Sequence, residues 1–223
     1  MDVPAAVRER LALALDVPDA DEARRLLDEV GEAFGVVKIG LELFLAEGFG
    51  LVDSVADAGW QVFLDLKLHD IPTTVGRAAS VVSTHDVAYL TVHTSGGSAM
   101  VSAAVQAVGA HTRVLGVTVL TSEPDASDFD RRVGIAAEAG CFGVVCSALE
   151  LGRLAEIAPQ LRPVVPGIRM AGAATHDQAR VATPQSALTN GASLLVVGRA
   201  VTAAPNRVEA AEVLVKQAES VFF

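Results

Sequence analysis

Two cysteines, one tryptophan and one tyrosine among 223 residues leave this chain poor in groups that staple, stack or chelate. So few cysteines exclude a disulfide scaffold. Cys141 and Cys146 flank one short apolar run, which fits free thiols in a reducing compartment. No His or Cys cluster lies near them to suggest a metal site. Positive charge is scarce too, with 17 Lys+Arg against 27 Asp+Glu and a formal net charge of -10. Without a long basic run, or a basic stripe interleaved with aromatics, nucleic acid is not an expected partner. An anionic ligand would have to be held by local groups.

Long apolar runs are also missing. No stretch is long enough to span a bilayer, and residues 1–10 carry charges where a signal peptide needs an apolar core. The expectation is a cytoplasmic protein with no membrane partner. Linker-like Pro/Gly/Ser tracts and low-complexity blocks are absent, so a single domain over residues 1–223 is the simplest reading.

What the chain does have is 51% hydrophobic content and a repeating plan. Short aliphatic or β-branched runs recur at 11–15, 36–39, 62–66, 88–92, 114–119, 143–146, 163–165 and 194–197. Helical periodicity lies between them. Asp19-Ala20-Asp21-Glu22 opens one helix with acids in its first turn, and others are expected at 75–84, 98–108, 128–139, 150–157 and 207–221. Eight strand and helix alternations with near-continuous apolar strands predict a parallel sheet covered by helices. No Gly-x-Gly-x-x-Gly follows the first run to favour an open dinucleotide-binding sheet. The predicted fold is α/β, a single-domain (β/α)8 TIM barrel.

Such a barrel builds its site at the C-terminal ends of its strands. Polar residues recur there: Asp16 after the first run, Lys38 in the second, Asp65 and Lys67 in the third, and His93 in the fourth. Thr121 and Ser122 follow the fifth, and Arg199 follows the eighth. The densest group is Asp65-Leu66-Lys67-Leu68-His69-Asp70-Ile71-Pro72, directly after Val62-Phe63-Leu64. Alternation along a strand points Asp65 and Lys67 the same way and leaves Asp70 beyond the strand end. Charges at a strand mouth need partners if buried. The plainer alternatives are a solvated strand end with a surface ion pair, and a lysine at 38 that snorkels.

The segment 65–72 resembles the signature of the orotidine 5'-phosphate decarboxylase family, in its bacterial style. Ala14-Leu15-Asp16, Val37-Lys38-Ile39-Gly40, Val92-His93, Val119-Leu120-Thr121-Ser122, Pro166-Gly167-Ile168-Arg169, Asp177-Gln178 and Val197-Gly198-Arg199 resemble further family blocks, in order. Thr73 departs from the pattern, which has Asn before the threonine matching Thr74. The resemblance implies a homodimer with shared sites, in which Lys38, Asp65, Lys67 and Asp70 form an alternating charged network and Asp70 reaches the neighbouring subunit's site. It further implies substrate contacts from Asp16 to ribose, Thr74, Thr121 and Ser122 to the nucleotide, and Arg169, Gln178, Gly198 and Arg199 around the phosphate. Arg169 and Gln178 would belong to a closing loop; on composition alone, Gly172-Ala173-Ala174 also suits an ordinary surface loop. His93 suits either a ligand contact or a hydrogen-bonded barrel position, and His69 a packing or capping one.

The implied reaction is decarboxylation of orotidine 5'-phosphate to UMP in de novo pyrimidine biosynthesis. No thiamine or pyridoxal motif offers an electron sink and no metal is evident, so no cofactor is expected. The carbanion would be met by the Lys67 ammonium, which then donates the proton to C6. Relatives that decarboxylate keto-sugar phosphates, or condense formaldehyde with a pentulose phosphate, share Asp-x-Lys-x-x-Asp but use magnesium held partly by an acid where this chain has Lys38. A cation there argues against them. A non-catalytic nucleotide-binding barrel would need no Lys67 beside Asp65.

Overall fold

The computed structural model describes residues 3–120, 123, 125–170 and 182–222. Eight parallel strands close into a barrel: β1 (Leu11–Leu15), β2 (Val36–Gly40), β3 (Gln61–Leu68), β4 (Val87–His93), β5 (Arg113–Val117), β6 (Gly143–Val145), β7 (Arg162–Val165) and β8 (Leu194–Val197). Each pairs with the next, and closure comes from β1 on β8, where Leu13 faces Val197. The helices are α1 (Ala5–Arg8), α2 (Ala20–Val30), α3 (Leu41–Asp57), α4 (Pro72–Val82), α5 (Ser98–Ala107), α6 (Phe129–Glu138), α7 (Leu151–Ile157), α8 (Pro184–Thr189), α9 (Arg199–Thr202) and α10 (Arg207–Glu219).

Strand alternation sorts the apolar residues into two cores. Leu11, Leu13, Leu15, Val37, Ile39, Val62 and Leu64 are buried in the outer core with helix residues such as Leu26, Leu43 and Leu214. Ala12, Val36, Phe63, Leu115, Val164 and Val196 fill the barrel interior. Because both faces of every strand are covered, the strands read as continuous apolar runs. Each fully buried Leu or Phe contributes about 1.5–3 kcal/mol, so the interior tolerates charge only where partners are supplied.

Helix starts follow the expected chemistry. The Asp19 side chain accepts from Glu22 N at 2.9 Å and caps α2. Pro72 occupies the first turn of α4, where its missing N–H costs nothing. Four helices escaped the periodicity: α1, α8 and α9, which span only four to six residues, and the long α3, which is kinked at Gly48, whose φ is +65°, and exposes Leu41 and Leu45. Its apolar residues therefore do not form a single stripe. No helix among the described residues is long and apolar enough to cross a membrane. Cys141 and Cys146 are both buried and free.

Candidate active site

A cavity of about 390 Å³ opens at the C-terminal ends of the strands. Phe63, Val117, Val145 and Val196 form its apolar wall. Asp16, Lys38, Asp65, Lys67, Arg169 and Arg199 bring charge to it. The elements explain the placement: Asp16 directly follows β1, Lys38 lies within β2, Asp65 and Lys67 end β3, and Arg199 opens α9 after β8.

Four of these groups form a continuous series of alternating sign. Asp16 Oδ1 accepts from Lys38 Nζ at 2.9 Å, Lys38 Nζ lies 3.6 Å from Asp65 Oδ2, and Lys67 Nζ donates to that same oxygen at 2.8 Å. Lys38 and Asp65 are buried, at 7% and 9% exposure, and each has an opposite charge on either side. Such compensation is what makes buried ions tolerable. Burial alone would push the Asp65 carboxyl upward. Lys38 and Lys67, aided by hydrogen bonds from Lys67 and Thr91, outweigh it and hold Asp65 below its ordinary 3.8. Gly40 makes room for the series: a Cβ there would come within 3.1 Å of Asp16 Oδ1 and 3.3 Å of Lys38 Nζ.

The chain turns sharply where the series ends. Lys67 has φ +49°, the one positive value at a non-glycine residue among the described residues. The β3–β4 register also shifts between Leu64 and Leu68. Ordinary strand alternation thus carries the sequence expectation only as far as Asp65. The meeting of Lys67 with Asp65 depends on a left-handed residue.

Asp70 stands apart from the series. It is exposed, and its Oδ1 accepts from Ile71 N at 2.6 Å. Thr74 is exposed in the first turn of α4, in a continuous exposed stretch from 69 to 74 that includes Ile71 at 65%. Arg169 lies at the cavity wall, buried, with Nη1 donating to Ile168 O at 2.9 Å and its backbone N donating to Ala182 O. Gly198 and Arg199 also line the cavity, and Arg199 is exposed. Thr121, Ser122, Gln178 and the 172–174 segment lie outside the described residues.

His93 sits at the end of β4, with its ring centroid 5.6 Å from that of His69. Its Nδ1 is buried with no hydrogen-bond partner among the described residues. Burial first, then the neighbouring His69, Lys67 and Arg132, lowers its pKa below 6.5. The residue that sequence reasoning missed is Thr91, whose fully buried hydroxyl donates to Asp65 Oδ1 at 2.9 Å. A threonine in a strand carries no functional signal of its own.

Among the described residues no group of three or more His, Cys, Asp or Glu side chains is arranged to hold a metal ion. Compensated charges at the carboxyl ends of parallel strands, around an apolar-walled cavity, are the arrangement by which this fold performs catalysis. Fold and site together define a (β/α)8-barrel enzyme.

Comparison with known proteins narrows the class. The model of the "Orotidine 5'-phosphate decarboxylase / HUMPS family" matches residues 9–214. A protein named orotidine 5'-phosphate decarboxylase from Thermobifida fusca (strain YX) is 46% identical over 218 residues, covering 92% of this chain and 93% of its own. One of the same name from Anaeromyxobacter sp. (strain K) is 46% identical over 220 residues, covering 92% and 96%. The crystal structure of orotidine 5'-phosphate decarboxylase from Lactobacillus acidophilus superposes with a TM-score of 0.80 at 32% identity, covering 94% of this chain and 99% of that one. The chain belongs to the orotidine 5'-phosphate decarboxylase / HUMPS family.

Proposed function

We propose that the protein decarboxylates orotidine 5'-phosphate to UMP, a cytoplasmic step of de novo pyrimidine biosynthesis, without metal or organic cofactor. The observation that carries this reading is the Lys67 ammonium, 2.8 Å from the buried Asp65 carboxylate at the cavity wall. When the bond from C6 to the carboxylate carbon breaks, its electron pair stays on C6 in the plane of the ring, where the π system cannot delocalise it. A fixed ammonium stabilises that charge as it develops. Lys67 Nζ then transfers a proton to C6 and recovers one from solvent. Asp65, beside the substrate carboxylate, repels the ground state, and the repulsion vanishes as neutral carbon dioxide leaves.

The remaining groups bind the parts of the nucleotide that do not react. Asp16 accepts from ribose hydroxyls, while Thr121 and Ser122 meet the pyrimidine. Arg199, Arg169, Gly198 and Gln178 surround the phosphate. Asp70 and Thr74 lie on one exposed stretch, and in a homodimer with shared sites they serve the neighbouring subunit.

The rival reading is the keto-sugar-phosphate and pentulose-phosphate chemistry of relatives that share Asp-x-Lys-x-x-Asp. Lys38 favours the decarboxylase, because an ammonium 3.6 Å from Asp65 opposes a divalent cation at that carboxylate. The test is ultraviolet-monitored conversion of orotidine 5'-phosphate by the purified, EDTA-treated protein. Turnover that returns only with magnesium would move the assignment to the sugar-phosphate relatives.

A further inference from the structure

We propose that Thr91 is a positioning residue that holds the Lys67 backbone and the Asp65 carboxylate in one hydrogen-bonded ring and so fixes where the Lys67 ammonium acts. The inference rests on the decarboxylase reading for its chemistry, but its geometry stands on its own.

The ring is closed on every side. Lys67 N donates to Thr91 Oγ1 at 2.9 Å, Thr91 Oγ1 donates to Asp65 Oδ1 at 2.9 Å, and Lys67 Nζ donates to Asp65 Oδ2 at 2.8 Å. Chemistry fixes the directions. A backbone N–H can only donate and an ionised carboxylate can only accept, so the single hydroxyl proton of Thr91 is committed to Asp65. The hydroxyl is fully buried, so water does not compete for either bond.

The β3–β4 register shows why a side chain is needed there. Leu64 faces Leu90 and Leu68 faces Val92, so residues 65 to 67 all lie opposite Thr91 alone. The extra residues leave Lys67 N without a regular place in the ladder, and Lys67 adopts φ +49°, a conformation that side-chain-bearing residues rarely occupy. A strained residue persists only where its surroundings over-determine it. Thr91 supplies that constraint at the backbone, and the carboxylate it orients is the one that holds the other end of the same lysine. One hydroxyl therefore sets both the root and the tip of Lys67.

A threonine that merely satisfied buried polar groups would affect folding alone, and the two roles separate experimentally. Thr91→Val keeps the shape and removes the hydroxyl; Thr91→Ser restores it. With wild-type turnover of orotidine 5'-phosphate measured first, Thr91→Val should lower kcat by about 10- to 100-fold, as expected for a misplaced catalytic group, with KM changed less than about threefold. Thr91→Ser should recover most of kcat. Losing a donor to the carboxylate should also move the Asp65 titration, followed by carbon-13 NMR of the unliganded protein, to higher pH in Thr91→Val. Wild-type kcat in Thr91→Val, an unmoved Asp65 titration, or a kcat loss explained by the unfolded fraction and not rescued by Ser would each overturn the proposal. Inactive wild-type protein would overturn the decarboxylase reading instead, and the Asp65 titration would still decide whether Thr91 holds the pair.

Discussion

Lys38 Nζ lies closer to Asp16 than to Asp65, at 2.9 Å against 3.6 Å. The lysine bridges the acid proposed to meet the ribose and the acid proposed to face the substrate carboxylate, so on that reading one cation serves both. Asp16→Asn should lower kcat/KM by about 1.5–3 kcal/mol, the range for a hydrogen bond to a charged group, or roughly 10- to 100-fold. Steady-state kinetics check this. A change below about twofold would show that Asp16 neither binds substrate nor supports Lys38.

On the proposed mechanism, Lys67→Ala removes both the carbanion's counter-charge and the proton donor. Turnover should fall by more than about a thousandfold, a barrier increase above roughly 4 kcal/mol. Single-turnover ultraviolet assays would detect the residue of activity. Retention of more than about a tenth of wild-type turnover would remove Lys67 from the central role.

Arg199→Ala should act through the phosphate and lower kcat/KM by a few kcal/mol, about 10²-fold. Orotidine, which lacks the phosphate, is the control. If the variant handles orotidine as poorly as it handles the nucleotide, Arg199 supports the fold or the charged centre instead.

Asp70 is exposed and bonded to Ile71 N, outside the Asp16–Lys38–Asp65–Lys67 series. If it completes a neighbour's site, two inactive variants should rescue each other. Mixing Asp70→Ala with Lys67→Ala under subunit exchange should make roughly half the dimers mixed, each with one intact site, and restore about a quarter of wild-type activity per site. Verified exchange without recovery would place Asp70 in its own chain's chemistry.

Burial pushes the Cys141 thiol up to about 12, and Cys146 is raised further by burial and by Glu150. Neither forms appreciable thiolate at neutral pH. Native protein should therefore leave Ellman's reagent nearly unreacted over an hour, with two thiols appearing on denaturation. Rapid native reaction of either cysteine would contradict the buried placement.

The barrel was legible because its signal is local. All eight apolar runs became strands, with 11–15 and 194–197 matching β1 and β8 to the residue. The third strand runs past the expected 66 to Leu68, because pairing with β4 resumes at Leu68, opposite Val92, beyond the irregular stretch that carries Lys67. The charged rim was legible too, since carboxylates and lysines at strand ends stand out against apolar neighbours. The partners within it were not. Asp16 meets Lys38 because Ala14 pairs with Lys38 across β1 and β2, and Thr91 meets Lys67 because of a register shift. Both are agreements between distant segments that no window of one strand contains. The helix α3 was lost for a different reason, its glycine kink and unsorted apolar faces.

The left-handed backbone at Lys67 sets folding and chemistry against each other at a single codon. Glycine, or failing that asparagine, suits φ +49° better than any long side chain, whereas the proposed proton transfer needs an ammonium. A saturation library at position 67 should therefore give two rankings. Scored by the amount of folded protein, glycine should rise above the other uncharged residues, its backbone fit set against the loss of Asp65's 2.8 Å partner; scored by growth that depends on the enzyme, lysine should stand alone. Any stability gained by relaxing this backbone would come from a barrel that no longer turns over.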